Sequence, residues 1–89
     1  MRKGTTSSGF SFEIDETIIE DDYELFEDLC ALDRGELTLL PKVVNTILGA
    51  EQTAKMKSFI RAKDGRVSTQ KMMALFTEVM TSAKETKNS

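Results

Sequence analysis

The chain has 89 residues, a formal net charge of −3 and a 39 % hydrophobic composition, which allow one small domain with a modest core. It has no histidine and a single cysteine, so an internal disulfide and histidine-dependent catalysis are both excluded. No segment approaches the roughly 20 apolar residues that span a bilayer, and no apolar stretch of a signal peptide follows residues 1–3, so we expect a soluble cytoplasmic protein.

Charge is unevenly distributed along the chain. Residues 10–36 carry eleven of the fifteen acidic residues and one base, whereas residues 37–89 carry nine bases and four acids. The two formal charges are therefore −10 (one base minus eleven acids) and +5 (nine bases minus four acids). This polarity suits assembly with itself or with a partner.

Residues 1–9 are small, polar and bounded by glycine, which predicts a disordered tail. The segment 10–14 alternates apolar and polar residues with the period of a strand, which predicts an extended arm with Phe10, Phe12 and Ile14 on one face. No partner strand is evident, so whether the arm forms a strand in the monomer stays open.

The first predicted helix begins near Ile19 and ends before Gly35, with Asp21 and Asp22 as candidate caps. Its apolar residues form two adjacent rows, Ile19, Tyr23, Phe26 and Cys30 in one and Leu25, Leu29 and Leu32 in the other. We expect these rows to form its apolar face, with Cys30 a buried small hydrophobe. The remaining face is acidic.

Two further helices follow on either side of Gly49, which we expect to stop the first of them. The earlier one has a stripe of Leu40, Val43, Val44, Ile47 and Leu48, with Thr38 as a possible cap and Pro41 in its first turn. The later one covers about residues 50–62. Its inward residues are Met56, Phe59 and Ile60, and its outward residues are Lys55, Lys57, Arg61 and Lys63.

Ser68 is the predicted cap of a fourth helix, after a turn at Asp64-Gly65. Its apolar stripe is Met72, Leu75, Phe76, Val79, Met80 and Ala83. The patterns together predict an all-α fold, a compact bundle of about four short helices with a short extended N-terminal arm. Residues 10–83 form the single helical domain, and residues 84–89 are expected to fray.

No catalytic, cofactor-binding or metal-binding site is predicted, and the chain is not expected to be an enzyme. The turn at residues 64–68 has the glycine and apolar spacing of a calcium loop, with Gly65 at the sixth position. The first, third and twelfth positions are then Ile60, Ala62 and Lys71, which offer no oxygen ligand from their side chains. A hydroxyl or thiol nucleophile, such as Ser68 or Cys30, would have no histidine to activate it.

An alternative function is DNA binding by a helix-turn-helix within residues 50–83. Thr69, Gln70 and Lys71 would begin the recognition helix, and the candidate phosphate contacts are Lys57, Arg61, Lys63 and Arg66. The acidic first half opposes this interpretation, because it would repel DNA unless it lay on the far side. We therefore expect neither nucleic acid nor membrane as the main partner.

The fourth helix carries three methionines, whose flexible side chains suit surfaces that accept varied apolar partners. Met73 lies off the centre of the stripe and is expected to be exposed. The candidate partner-binding residues are Met72, Met73, Phe76 and Met80. Core packing is the competing interpretation.

Four segments in succession resemble the small tail assembly proteins of long-tailed phages and prophages of Gram-positive bacteria. They are Gly9-Phe10-Ser11-Phe12-Glu13-Ile14, the end of the acidic helix at Leu29-Cys30-Ala31-Leu32-Asp33, the stretch from Leu39-Leu40-Pro41-Lys42 to Gly49-Ala50-Glu51-Gln52, and Asp64-Gly65-Arg66-Val67-Ser68. The likeness covers about residues 9–81. No single segment is specific; their order carries the resemblance.

The resemblance implies a tail assembly chaperone of the host bacterial cytoplasm, absent from the mature virion. Such a protein would bind the tape measure protein, the major tail protein or both while tail subunits polymerise. The resemblance also implies a mostly helical protein that self-associates, and in several members an extended form made by ribosomal frameshifting.

Self-association through unlike charged faces is a further hypothesis. The acids would be Glu20, Glu24, Glu27 and Asp28 of one copy, and the bases Lys55, Lys57, Arg61 and Lys63 of the next. The competing interpretation is that these charges pair within one monomer.

Overall fold

The computed structural model of the chain describes residues 2–15 and 17–86. The elements are β1 (Arg2–Thr5), β2 (Ser11–Ile14), α1 (Thr17–Asp21), α2 (Tyr23–Asp33), a 3₁₀ turn (Leu37–Leu39), α3 (Leu40–Asp64) and α4 (Thr69–Thr86). Four helices and a short N-terminal hairpin form one mostly helical globule, which confirms the predicted fold class. Within the described ranges, no helix is long and apolar enough to cross a membrane.

The N-terminal arm is a two-stranded antiparallel hairpin, in which Gly4 lies opposite Phe12. The Thr6 N–H donates to the Phe10 carbonyl at 2.9 Å, and the Thr6 hydroxyl accepts from the Phe10 N–H at 3.0 Å, which closes the turn. The prediction of a disordered tail over residues 1–9 is therefore wrong for residues 2–9, and Met1 lies outside the described residues. Residues 2–9 have few apolar side chains of their own. They are ordered because β2, their partner strand, supplies the buried face of the hairpin.

Phe12 is held by its close approach to β1. A Cβ atom on Gly4 would lie 2.6 Å from Cζ of the Phe12 ring, so the ring crosses the strand where there is no side chain. Phe10, Phe12 and Ile14 are each at most 5 % exposed, as the alternating pattern predicts. Their burial places β2 in the same core cluster as α2, α3 and α4.

The side chain of Gln52 ties the hairpin to α3. Its Oε1 accepts from the Glu13 N–H at 2.7 Å, and its Nε2 donates to the carbonyls of Glu13 at 2.6 Å and Leu48 at 2.8 Å. The amide therefore supplies the Glu13 N–H and carbonyl of β2 with the hydrogen bonds that a third strand would provide.

The acidic segment forms two helices, because the chain breaks at Asp22. Asp22 is the N-cap of α2, with Oδ1 accepting from the Leu25 N–H at 3.0 Å, as predicted. Leu25 and Leu32 are buried, but Tyr23 and Phe26 are 72 % and 49 % exposed. The expectation that they contribute to the buried face is wrong, because α2 buries its other apolar row.

The two helices predicted on either side of Gly49 are the two halves of α3. Gly49 has φ 83° and ψ 162°, a non-helical conformation open essentially only to glycine, so the first half ends there, as predicted, and the second half begins across a kink. Pro41 lies in the first turn, as predicted. Thr38 is not the cap, because it lies inside the 3₁₀ turn and the N-cap position belongs to Leu39, which makes no capping hydrogen bond through its side chain.

Ser68 begins α4 as predicted, with its hydroxyl accepting from the Lys71 N–H at 3.0 Å. Four residues of the predicted stripe are buried: Met72, Leu75, Phe76 and Val79. The helix runs to Thr86, and residues 87–89 lie outside the described part, so the expected fraying of residues 84–89 stays a prediction.

We predict that Gly4→Val destabilises the fold by about 1–3 kcal/mol, because the new side chain overlaps the buried Phe12 ring. Urea denaturation of both proteins measures the difference. Thr5→Val, on the neighbouring exposed position of β1, is the matched control and should change the free energy of unfolding by less than about 0.5 kcal/mol. Equal effects of the two substitutions would contradict the Gly4–Phe12 contact.

We also predict that Gln52→Ala lowers the free energy of unfolding by about 1–3 kcal/mol, because the partly buried Glu13 N–H and carbonyl lose the bonds that Gln52 supplies. The control is Glu51→Ala, which removes only an exposed ion pair with Lys55 and should cost under about 0.5 kcal/mol. Amide hydrogen exchange at Glu13 should speed up in Gln52→Ala alone; unchanged exchange would contradict the assigned bond.

Candidate partner-binding surface

An apolar groove of about 270 Å³ runs between α2 and α4. Its lining residues are Leu29, Leu32, Asp33, Met73, Phe76, Thr77, Met80 and Thr81. We call it the α2–α4 groove. Two half-buried methionines line it, and the exposed carboxylate of Asp33 marks one edge. It can accept an apolar side chain, and the methionines can adjust to its shape.

The structure separates the four predicted partner-binding residues into two pairs. Met73 and Met80 are half-buried and line the α2–α4 groove, so Met73 is less exposed than expected. Phe76 is 2 % exposed and belongs to the core beneath the groove. Met72 is 9 % exposed and lines a different cavity, so Met72 and Phe76 are mainly core residues, as the competing interpretation held.

Tyr23 and Phe26 form an exposed aromatic pair on α2, with ring centroids 6.4 Å apart and planes inclined by 39°. The sequence analysis did not predict their exposure, although the spacing of the apolar residues along α2 indicates it. At 100° per residue, the apolar residues of α2 other than Ala31 cover an arc of about 180°, wider than the apolar stripe of about 100° that suffices to face a core. Part of the arc therefore has no place in the core.

Of the four acids predicted for self-association, one forms an ion pair within the monomer. Asp28 pairs with Lys42, with Oδ2 and Nζ 3.0 Å apart, and this hydrogen bond raises the pKa of Lys42. Asp28 therefore pairs within the monomer, and its partner Lys42 is not one of the four bases predicted for self-association. The exposed carboxylates of Glu20, Glu24 and Glu27 form no ion pair with any residue that the structure describes.

The four predicted bases on α3 are all exposed, but they differ in their contacts. Lys55 lies 3.5 Å from Glu51, and Lys63 lies 4.6 Å from the centroid of the Phe59 ring and donates to the Ser8 carbonyl. Lys57 and Arg61 form no ion pair within the described ranges. They lie four residues apart and therefore on one side of the helix.

A second cavity, of about 380 Å³, lies beside Lys57. We call it the α3–α4 cavity. Its walls come from the 3₁₀ turn, both halves of α3 and the beginning of α4, and they comprise Leu37, Thr38, Leu40, Pro41, Val44, Asn45, Thr53, Lys57, Val67, Thr69 and Met72. Sequence reasoning missed it because its walls come from separate stretches of the chain, on both sides of the Gly49 kink.

The turn at residues 64–68 carries no metal-binding cluster. Among the residues that the structure describes, no group of three or more acidic, cysteine or histidine side chains could hold an ion. Thr69, Gln70 and Lys71, proposed for a recognition helix, are exposed in the first turn of α4.

Comparison of the chain with family models, with curated proteins and with solved structures found no match.

We predict that Phe26→Ser lowers the free energy of unfolding by only about 1 kcal/mol, because half of this side chain already contacts solvent. Leu25→Ala, one residue earlier and buried, should cost about 2–5 kcal/mol. Urea denaturation of the two variants compares them directly. A loss above about 2 kcal/mol in Phe26→Ser would show that the aromatic pair supports the fold.

Proposed function

We propose that this chain is a non-enzymatic phage tail assembly chaperone that binds the tape measure protein, the tail tube protein or both in the host bacterial cytoplasm. The observation that carries the proposal is the α2–α4 groove, an apolar, methionine-lined surface on a small domain. The resemblance of residues 9–81 to tail assembly proteins supports the choice of partner. The groove alone supports binding of an apolar segment.

The groove suits a partner that presents an amphipathic helix. Two helices border it, and a third helix laid along them would bury apolar side chains against Leu29, Met73 and Met80. Methionine side chains have three rotatable bonds, so such a surface accepts many sequences. A chaperone that covers successive segments of one long protein needs this tolerance.

The charge at the groove favours partner segments with basic flanks. Asp33 is exposed and lines the groove. A base on the partner would meet this carboxylate at the edge of the contact, where ion pairs steer association more than they strengthen it. Salt should therefore slow association more than it speeds dissociation.

The experiment is co-expression of the chain with the tape measure protein from the same genome, followed by sedimentation of the lysate. We expect the chain to keep the tape measure protein soluble, and Met73→Asp to lose most of this effect, because a carboxylate would be buried in the contact. Ala54→Asp, at an exposed position of α3, is the matched control and should act like the unchanged chain. Failure of the unchanged chain to rescue or co-purify the partner would reject the proposal.

The alternative is a small DNA-binding regulator that uses residues 50–83. The exposed Lys57 and Arg61, which form no ion pair within the described residues, support it together with Gln70 in the first turn of α4. The unpaired acids of α1 and α2 oppose it. Retention on DNA that falls steeply between low and moderate salt, and is weakened by Arg61→Gln, would favour this function over the chaperone.

A further inference from the structure

The α2–α4 groove leaves two features of the surface without a role. One is the aromatic pair of Tyr23 and Phe26, which no described part of the chain covers. The other is the α3–α4 cavity, which is open and lined mainly by apolar side chains. The aromatic pair and the open cavity are both apolar surfaces that a second copy of the chain could cover.

The charges around the two features are complementary. Glu24 and Glu27 are exposed on the same helix as the aromatic pair, and Glu27 lies one turn from Tyr23. Lys57 lines the α3–α4 cavity, and Arg61 lies one turn further along α3. Neither the two acids nor the two bases form an ion pair within the described residues.

We propose that copies of this chain associate head to tail, with Tyr23 and Phe26 of one copy seated in the α3–α4 cavity of the next. The rings would bury against the exposed side chains of Leu37 and Pro41, while Glu27 approaches Lys57 and Arg61. Such a contact joins unlike surfaces, so each added copy keeps one free aromatic pair and one free cavity. It therefore builds chains or rings rather than closed dimers.

The aromatic pair does not fill the α3–α4 cavity of its own chain. Tyr23 is 72 % exposed, and neither ring is among the residues that line the cavity. Leu37, at the cavity, is itself 46 % exposed and would gain burial from the contact. Occupation by a second copy thus covers all three of the large hydrophobic side chains that are exposed in the described part of the chain.

The contact should be weak, because two aromatic side chains bury only about 150–250 Å² each. An interface of this size is well below the roughly 1,000 Å² expected of a stable complex. We therefore expect self-association between about 10 µM and about 1 mM, rather than at nanomolar concentration. Repetition along a filament, or along a long partner, would strengthen it through effective concentration.

Sedimentation velocity of the whole chain over this concentration range is the test. The weight-average mass should rise continuously past that of a dimer, and about 1 M salt, which screens charges beyond about 3 Å, should lower it. Tyr23→Ser combined with Phe26→Ser should remain monomeric throughout. A mass that stays monomeric, or that levels off at a dimer, would overturn the head-to-tail arrangement.

A second variant blocks the cavity without loss of the fold. Lys57→Glu combined with Thr69→Glu places two negative charges at the cavity, and an acid in the first turn of α4 is compatible with the helix dipole. This variant should also be monomeric. Lys55→Glu, on the same helix but away from the cavity, is the control and should still associate.

Mixing the two monomeric variants gives the sharpest result. The cavity-blocked variant keeps its aromatic pair, and the serine variant keeps its cavity, so the mixture should form one-to-one dimers and nothing larger. Absence of these dimers would overturn the proposed contact. Met73→Asp should associate like the unchanged chain, so failure of this proposal is distinguishable from failure of the chaperone function.

Discussion

The amide of Gln52 is the interaction on which the arrangement of the domain depends. It bonds to both backbone groups of Glu13 and to the Leu48 carbonyl next to the kink at Gly49. One side chain thereby fixes the hairpin against the second half of α3, at the point where the helix changes direction. The buried row of Phe10, Phe12 and Ile14 can then cover the core, because its strand has a fixed position.

The second constraint is the width of the apolar arc on α2. Leu25 and Leu32 are buried in the core, and Leu29 lines the α2–α4 groove. Tyr23 and Phe26 remain outside, where burial cannot account for them. Both proposed contacts follow from this excess, because one helix serves the core, the groove and the exposed aromatic surface on successive parts of its circumference. The two proposed contacts therefore use the apolar surface of α2 that the core does not bury.

Local signals predicted the helices well, since capping and periodicity act within a few residues. Ser68 and Asp22 cap helices as expected, and Gly49 marks a real change in backbone direction. The hairpin could not be found this way, because residues 2–5 are ordered by β2 and α4 and not by their own composition. The α3–α4 cavity could not be predicted from local patterns either, because both halves of α3 and the start of α4 form its walls together only in the folded chain.

The contact between β1 and α4 joins the beginning of the described chain to its last helix, and the Ser7 hydroxyl donates to the Glu78 carboxylate across it. During synthesis, the hairpin leaves the ribosome before any of α4 has been made. Burial of its apolar face therefore stays incomplete until α4 has been made, and closing so long a loop slows folding. A nascent chain halted before α4 therefore exposes part of the phenylalanine surface that the folded domain buries.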